Sequence, residues 1–229
     1  MRNSGLGAFL CIALAACGYG NTIAVWNFND AVSGMTGGAQ EFLVDYGNGT
    51  MTSNFSSSSI GNSPGSTLNA QPGDPAGQAL RLSGSGNNGR YLSWMIDTTG
   101  FESIDVSFAI QRTTTGFSGN QFLYSLDAGF SWENFGSAFS PGTSFGLQSF
   151  DLSGIQELNN NPGAGFGILL DGATSATGNS KIDNLVVSGV PIDPPIVTPV
   201  PEPSSLALTG IGLACGLICL CRRNPRGKS

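Results

Sequence analysis

The chain predicts an all-β fold, an antiparallel two-sheet sandwich of jelly-roll type. Residues 103–112 alternate between apolar side chains and polar or small ones, and a period of two places the apolar set on one buried face of a strand. About ten short apolar runs between residues 21 and 200 are separated by turns rich in Gly, Ser, Asn and Thr, and none sustains the 3.6-residue period of a helix. Short strands at this spacing predict two packed sheets, with a closed barrel as the alternative.

The predicted strands follow one another with short connections. In chain order they span residues 22–28, 40–45, 50–55, 78–82, 90–96, 103–112, 121–126, 131–135, 145–152, 165–170 and 181–187. The second and third form a hairpin around Gly47, Asn48 and Gly49, where glycine permits a positive φ. Residues 56–77 hold almost no apolar side chains and predict a long exposed loop, and residues 155–158 predict a single helical turn.

The C-terminus has three parts in a defined order. Pro201, Glu202 and Pro203 precede a mostly apolar segment, residues 204–221, and a basic tail follows that segment. As a helix its apolar part would rise about 24 Å, close to the lower limit for crossing a bilayer. The arginines and the lysine after it predict a cytoplasmic C-terminus, so residues 21–200 are expected outside the cytoplasm.

This order of parts resembles the PEP-CTERM sorting signal of exported bacterial proteins. In that family an exosortase, a membrane-embedded cysteine enzyme, recognises the triplet and is thought to cut near it. The resemblance therefore implies Pro201, Glu202 and Pro203 as the sorting motif, an exosortase as a partner and an intermediate anchored in the inner membrane by its C-terminal helix. It covers only about residues 200–228, and an ordinary C-terminal membrane anchor is the alternative.

The N-terminus predicts a signal peptide over residues 1–20. Arg2 supplies a positive charge, and an apolar stretch of signal-peptide length and small residues follow it. We expect cleavage by signal peptidase between Ala15 and Asn21. The residues that end at Cys17 also match a bacterial lipobox, in which Cys17 would be lipidated and become the first mature residue.

The expected organisation has four parts: the signal peptide, a β-sandwich domain over residues 21–189, a linker over residues 190–200 and the sorting signal over residues 201–229. Six prolines between residues 190 and 203 favour an extended spacer. The predicted location after processing is the cell envelope, the cell surface or the extracellular space.

The composition of residues 21–200 excludes several classes of function. This part carries 14 acidic and four basic side chains, a net charge of −10, which makes nucleic-acid binding improbable. All five cysteines lie in the two terminal segments, so the domain has no disulfide and no thiolate chemistry. The chain has no histidine, which excludes the usual hydrolase triads and His-based zinc sites. Carboxylate chemistry remains, and no catalytic residue is predicted.

Residues 125–132 resemble the Asp-box, S-x-D-x-G-x-S/T-W, found in sialidases and other β-proteins. In that family the box is structural and distant from catalysis. Asp127 is expected to accept hydrogen bonds from turn amides, Gly129 to adopt a conformation that other residues avoid, and Trp132 to pack beneath. We therefore interpret Asp127, Gly129 and Trp132 as fold residues.

Tyrosines and tryptophans are the candidate surfaces for stacking on a sugar ring. The set is Trp26, Trp94, Trp132, Tyr46, Tyr91 and Tyr124. Tyr91 and Trp94 have opposite parity in one strand, so only one of them can face the core without a bulge. We expect Trp94 in the core and Tyr91 on the surface, where it would contact a glycan.

The first and last strands carry acidic turns that a jelly roll often brings together. Oxygen ligands from Asp30 and Asp183 there could hold a structural Ca²⁺, although solvated turn residues are the simpler interpretation. No other cofactor is expected.

Three functional hypotheses follow from the sequence. The first is a non-catalytic surface or matrix protein, exported and sorted by its C-terminal signal into an extracellular polysaccharide layer. The second is a carbohydrate-binding module of the cell envelope that uses an exposed aromatic side chain. The third is a glycosidase, for which the candidate carboxylates are Glu41, Glu102, Glu133 and Glu157.

Overall fold

A computed structural model describes residues 21–30 and 40–193, which form two antiparallel β-sheets. The strands are β1 Asn21–Trp26, β2 Gln40–Phe42, β3 Tyr46–Gly47, β4 Thr50–Ser53, β5 Ile60–Pro64, β6 Gln78–Ser83, β7 Arg90–Ile96, β8 Phe101–Arg112, β9 Gly119–Ser125, β10 Glu133–Phe139, β11 Gly146–Asp151, β12 Ala164–Asp171 and β13 Asn179–Pro191. Short 3₁₀ turns span Ser57–Ser59, Ser85–Asn87 and Gln156–Leu158.

The two sheets confirm the predicted sandwich and exclude the barrel. The first sheet has the order β11-β8-β13-β1-β3, with β6 also on β13 and β5 on β6, and the second has the order β10-β9-β12-β7-β4-β2. The first and last described strands are neighbours, since Trp26 pairs with Leu185. In the described part of the chain no helix has the length and the hydropathy that a membrane span requires.

The core lies between the sheets and is rich in aromatic rings. The buried face predicted for β8 is confirmed, since its four inward-facing side chains are at most 1% exposed, but Ala109, predicted to face solvent, is also fully buried. Phe122 of β9 stacks on Phe150 of β11 with ring centroids 4.0 Å apart, so the two sheets are in direct contact there. Burial of apolar area, these aromatic rings included, is the main favourable term in the folding of such a domain.

The hairpin predicted over residues 40–55 is present, but its turn has a second role. β2 pairs with β4 in the second sheet, whereas Tyr46 and Gly47 of the connection pair with Val25 and Ala24 of β1 in the first sheet. Gly47 makes this crossing possible, because its φ is +79° and an added Cβ would lie 1.8 Å from the carbonyl oxygen of Ile23.

The prediction of an exposed loop over residues 56–77 is wrong in part. Residues 60–64 form β5, and residues 65–77, here called the covering loop, are tied to the first sheet by hydrogen bonds. Asn69 Nδ2 donates to the carbonyl oxygen of Asn184 at 2.8 Å and to Ser107 Oγ at 3.1 Å. Asn184 Nδ2 in turn donates to the carbonyl oxygens of Ser66 and Leu68. Polar side chains therefore attach a segment that has almost no apolar ones.

Candidate functional site

A groove lies at the edge of the first sheet, between β3 and the covering loop. We call it the edge groove. Its volume is about 670 Å³, within the range of about 300–1,000 Å³ common for ligand clefts. The residues that line it include Val25, Asp45, Tyr46, Gln71, Asp74 and Phe101. A second depression of about 550 Å³ shares Tyr46 and Phe101 with it and extends past Asn48, Asp97 and Thr99.

One wall of the edge groove is the short strand β3. The backbone N–H of Asp45 donates to the carbonyl oxygen of Val25 at 2.9 Å, and Tyr46 pairs with Val25 in the ladder. Because β3 is an edge strand of only two residues, the Tyr46 side chain remains 60% exposed. The sequence indicated Tyr46 as a candidate stacking ring, and the structure places it at the mouth of a groove.

The opposite wall belongs to the covering loop, which contributes Gln71 and Asp74. Asn27 Nδ2, at the end of β1, donates to Asp74 Oδ2 at 3.4 Å and connects this wall to the first sheet. The N–H of Asn27 donates to Asp45 Oδ2 at 2.7 Å and connects the other wall. A single asparagine thus holds one carboxylate from each wall.

The edge groove is electrostatically negative. Partial desolvation of the Asp45 carboxylate raises its pKa above the ordinary value, and the nearby charges of Asp30 and Asp74 raise it further. The N–H groups of Asn27 and Phe28 oppose this shift by stabilising the ionised form. Such a groove repels anions and favours neutral or positively charged groups.

Asp30 and Asp183 lie in different environments. Asp30 is exposed and acts on the pKa of Asp45, whereas Asp183 is fully buried and accepts hydrogen bonds from Ser66 N at 2.6 Å and Asn184 N at 3.0 Å. Burial raises the pKa of Asp183 to about 7. Within residues 21–30 and 40–193 no three His, Cys, Asp or Glu side chains are grouped so that they could hold a metal ion. Structural calcium therefore stays a hypothesis.

Tyr91 and Trp94 lie where the parity argument predicts. Trp94 is fully buried, and Tyr91 is 40% exposed on the outer face of the second sheet, paired with Leu169 of β12. Tyr91 is therefore accessible to a ligand, but it does not line the edge groove. A glycan contact at Tyr91 stays a prediction.

The Asp-box forms the compact turn that its residues predict. Asp127 accepts hydrogen bonds from Ser125 Oγ, from Ser131 N and from Ser131 Oγ, at 2.7 to 2.9 Å. Ser125 Oγ accepts from the N–H of Gly129, whose φ is +86°. These donors hold the pKa of the Asp127 carboxyl below its ordinary value. Because Ser131 belongs to this turn, β10 begins at Glu133, two residues later than predicted.

Trp132 packs on the outer face of the second sheet. The Cβ positions that alanine would add at Gly129 and Gly167 lie 3.5 Å from its ring. Glycine at these two positions leaves room for the indole ring against the strands. This arrangement accords with a structural role for Trp132.

The four candidate glutamates are exposed, and two of them, Glu133 and Glu157, lie close enough to Tyr124 to raise its pKa, Glu133 by a hydrogen bond and both by their charges. Glu41 lies on β2, Glu102 near the start of β8, Glu133 at the start of β10 and Glu157 in a 3₁₀ turn. Tyr124 Oη donates to Glu133 Oε2, and none of the four lines the edge groove. Neither of the two depressions described above is lined by any of the four glutamates.

Cys17, Pro201, Glu202 and Pro203 lie outside the described residues, so the C-terminal motif is assessed by its sequence. The family described as the PEP-CTERM protein-sorting motif matches residues 199–223. The chain carries a PEP-CTERM sorting signal. The signal marks an exported protein that an exosortase processes at the cell envelope. The match covers the C-terminal segment alone.

Comparisons of the whole chain give only distant similarity. No curated protein matches the chain. The CBM22-1 xylan-binding domain of Xyn10C from Paenibacillus barcinonensis is 12% identical over 76% of this chain and 97% of its own, with a TM-score of 0.45. TmCBM61, solved with β-1,4-galactotriose, is 8% identical over 62% of this chain and 88% of its own, with a TM-score of 0.37. Similarities at this level do not establish a shared ligand.

Proposed function

We propose that the protein is a non-catalytic module of the cell surface or extracellular matrix. The observation that carries this proposal is the PEP-CTERM motif at residues 199–223, which follows an all-β domain with a net charge of −10 over residues 21–200 and no histidine. A negatively charged sandwich without disulfides suits a hydrated polysaccharide layer, because a net charge far from zero keeps the domain soluble.

The proposed route begins with signal peptidase, which removes residues 1–20 during export. The helix predicted over residues 204–221 then holds the chain in the inner membrane until an exosortase acts near Pro201, Glu202 and Pro203. Processing releases the sandwich to the cell surface or the medium, or attaches it there.

Replacement of the triplet by alanines tests this route. We expect the variant with Pro201, Glu202 and Pro203 all changed to Ala to accumulate unprocessed in the inner membrane. A matched control changes Asp193, Pro194 and Pro195 to Ala, since it removes one carboxylate and two prolines from the same Pro-rich segment, outside the motif. The intact masses of the triplet variant and the control variant show whether each has been processed. If the triplet variant matured like the control, the triplet would have no role in sorting.

The same mass measurement decides how the N-terminus is processed. Cleavage between Ala15 and Asn21 without modification is the proposed result. A diacylglyceryl group on Cys17 would instead show lipoprotein processing and overturn this part of the route.

Carbohydrate binding is a second candidate function, and two observations favour it. Tyr91 is 40% exposed on a sheet face, and Tyr46 is 60% exposed at the edge groove. Exposed tyrosines of this kind present a flat apolar ring with a polar end, which suits a sugar. Affinity electrophoresis of the processed protein in gels that contain different polysaccharides tests this candidate. Unretarded migration in every gel would reject it.

Glycoside hydrolysis is the weaker alternative. It predicts turnover of a polysaccharide that is abolished when Glu41, Glu102, Glu133 or Glu157 is changed to Gln. Reducing-end release by the wild-type protein, absent in one of these variants, would replace the non-catalytic proposal.

A further inference from the structure

We propose that the edge groove binds a neutral saccharide, with Tyr46 as its stacking platform. This inference rests on the carbohydrate-binding candidate given above and assigns to it a definite site. The alternative position on the molecule is the sheet face around Tyr91, and the two sites are far enough apart in sequence and in the fold to be tested separately.

The aromatic part of the groove is built from one exposed ring and one anchored ring. Tyr46 is 60% exposed, yet its backbone is fixed by the ladder with β1, so the ring is presented from a defined strand. Phe101 is partly buried and packs against the core at the start of β8. The C–H faces of sugars are apolar, and they gain from contact with aromatic rings held in this way.

The polar part of the groove supplies hydrogen-bond partners for hydroxyl groups. Asp45 and Asp74 offer carboxylate oxygens as acceptors, and the Gln71 amide is both a donor and an acceptor. Asn27 restrains both carboxylates through the two hydrogen bonds described above. Restrained acceptors lose less conformational entropy when a ligand binds, which favours recognition of a specific hydroxyl pattern.

The charge of the groove selects among saccharides. The ionisable side chains that line it within the described residues are Asp45, Asp74 and Tyr46, so no Lys or Arg there can pair with a carboxylate, sulfate or phosphate group. The like charges of Asp45 and Asp74 also disfavour an additional anion. The lining therefore disfavours anionic polysaccharides, whereas a neutral one supplies hydroxyl donors for the two carboxylates and an apolar C–H face for Tyr46.

The test compares two tyrosine variants of the processed protein by affinity electrophoresis. The gels contain neutral xylan, mannan, β-glucan or galactan, and polygalacturonate serves as the anionic comparison. We expect retardation by at least one neutral polymer and none by polygalacturonate. Tyr46→Ala is expected to weaken binding about tenfold, whereas the control Phe130→Ala, which removes an aromatic ring that is 92% exposed and outside the groove, leaves it unchanged. Tyr46→Phe, which keeps the ring, is expected to retain most of the affinity.

The outcomes of this test separate the site from the function. Binding that Tyr91→Ala abolishes and Tyr46→Ala does not would overturn the edge groove and leave the carbohydrate-binding function in place. Absence of binding to every polymer would overturn both. Retardation by polygalacturonate that depends on Tyr46 would contradict the selection of neutral chains. Thermal melting of each variant, expected to match wild type because both tyrosines are exposed, shows that the fold is retained.

Amide NMR gives an independent measure of the same site. On titration with an oligosaccharide of the retarding polymer, we expect the largest shifts at Val25, Tyr46 and Asp74. Shifts centred on Tyr91 and Leu169 would place the ligand on the second sheet and refute the proposal.

Discussion

Substitution of Asp183 by Asn is expected to change how stability depends on pH. The carboxylate is buried between β13 and the covering loop, where Ser66 N and Asn184 N donate to it. Burial raises its pKa from 3.8 to about 7, despite these two donors. Each pKa unit corresponds to about 1.4 kcal/mol, so a shift of this size contributes at most about 4 kcal/mol to the pH dependence of the folding free energy.

The sign follows from the raised pKa of Asp183. The folded protein prefers the neutral acid, so this group's stabilising contribution is complete below about pH 4 and is lost as the pH rises to about 7. The asparagine side chain of the Asp183→Asn variant cannot ionise, and its amide leaves one of the two backbone donors without an acceptor. That loss costs about 1–3 kcal/mol at every pH. The difference between wild type and the variant therefore isolates the titration of Asp183 from that of the other carboxylates.

Urea unfolding at pH values from 4 to 8, in the presence of EDTA, measures this difference. We expect wild type to be more stable than the Asp183→Asn variant at pH 4 and to lose that advantage by pH 8. A difference that stays constant over this range would refute the reasoning. A separate series without EDTA tests the structural-calcium hypothesis. Added Ca²⁺ that stabilised wild type at pH 8 but not the variant would support it, and an unchanged urea midpoint would end it.

Three further substitutions test other parts of the fold. Phe122→Ala should cost about 3–5 kcal/mol and lower the melting temperature by about 10 °C, whereas Phe130→Ala, at a ring that is 92% exposed, should change stability by less than about 0.5 kcal/mol. Gly47→Ala should lower the stability measured by urea unfolding more than Gly89→Ala. Both glycines have a φ of +79°, but only at Gly47 would the added Cβ collide with backbone atoms of β1. Equal effects would contradict the crossing of β3 to the first sheet. Asp127→Ala should lower the melting temperature at pH 7. The difference between wild type and the variant should shrink below about pH 4, because protonation of Asp127 removes the stabilisation that its lowered pKa reflects. A difference in melting temperature that is independent of pH would refute this.

The parts of the fold that the sequence predicted depend on local pattern. The alternation in β8 identifies its buried face, because that face meets the core along the whole strand. The Asp-box turn was equally predictable, since the hydrogen bonds of the Asp127 and Ser125 side chains lie within residues 125–131. The opposite parity of Tyr91 and Trp94 was also sufficient to assign which ring is buried.

The parts that the sequence did not predict depend on contacts between distant residues. The covering loop has a polar composition typical of an exposed loop, yet Asn69 and Asn184 fasten it to the sheet across a separation of 115 residues. β3 separates from its hairpin because Gly47 can approach β1 closely. The edge groove combines residues from β1, β3, the covering loop and the start of β8, and no spacing along the chain links these four segments. The sequence identified Tyr46 only as one of six candidate stacking rings, and it predicted exposure for Tyr91 instead.

The most direct test of the account follows both ends of the chain in the same cells. An antibody against the sandwich domain and an epitope on the basic C-terminal tail are used to probe the cytosolic, inner-membrane, surface and medium fractions over time. The account predicts that both signals begin in the inner membrane, and that the sandwich then leaves for the surface or the medium while the tail epitope does not accompany it. A single full-length species in the cytosol, with both ends intact, would contradict it.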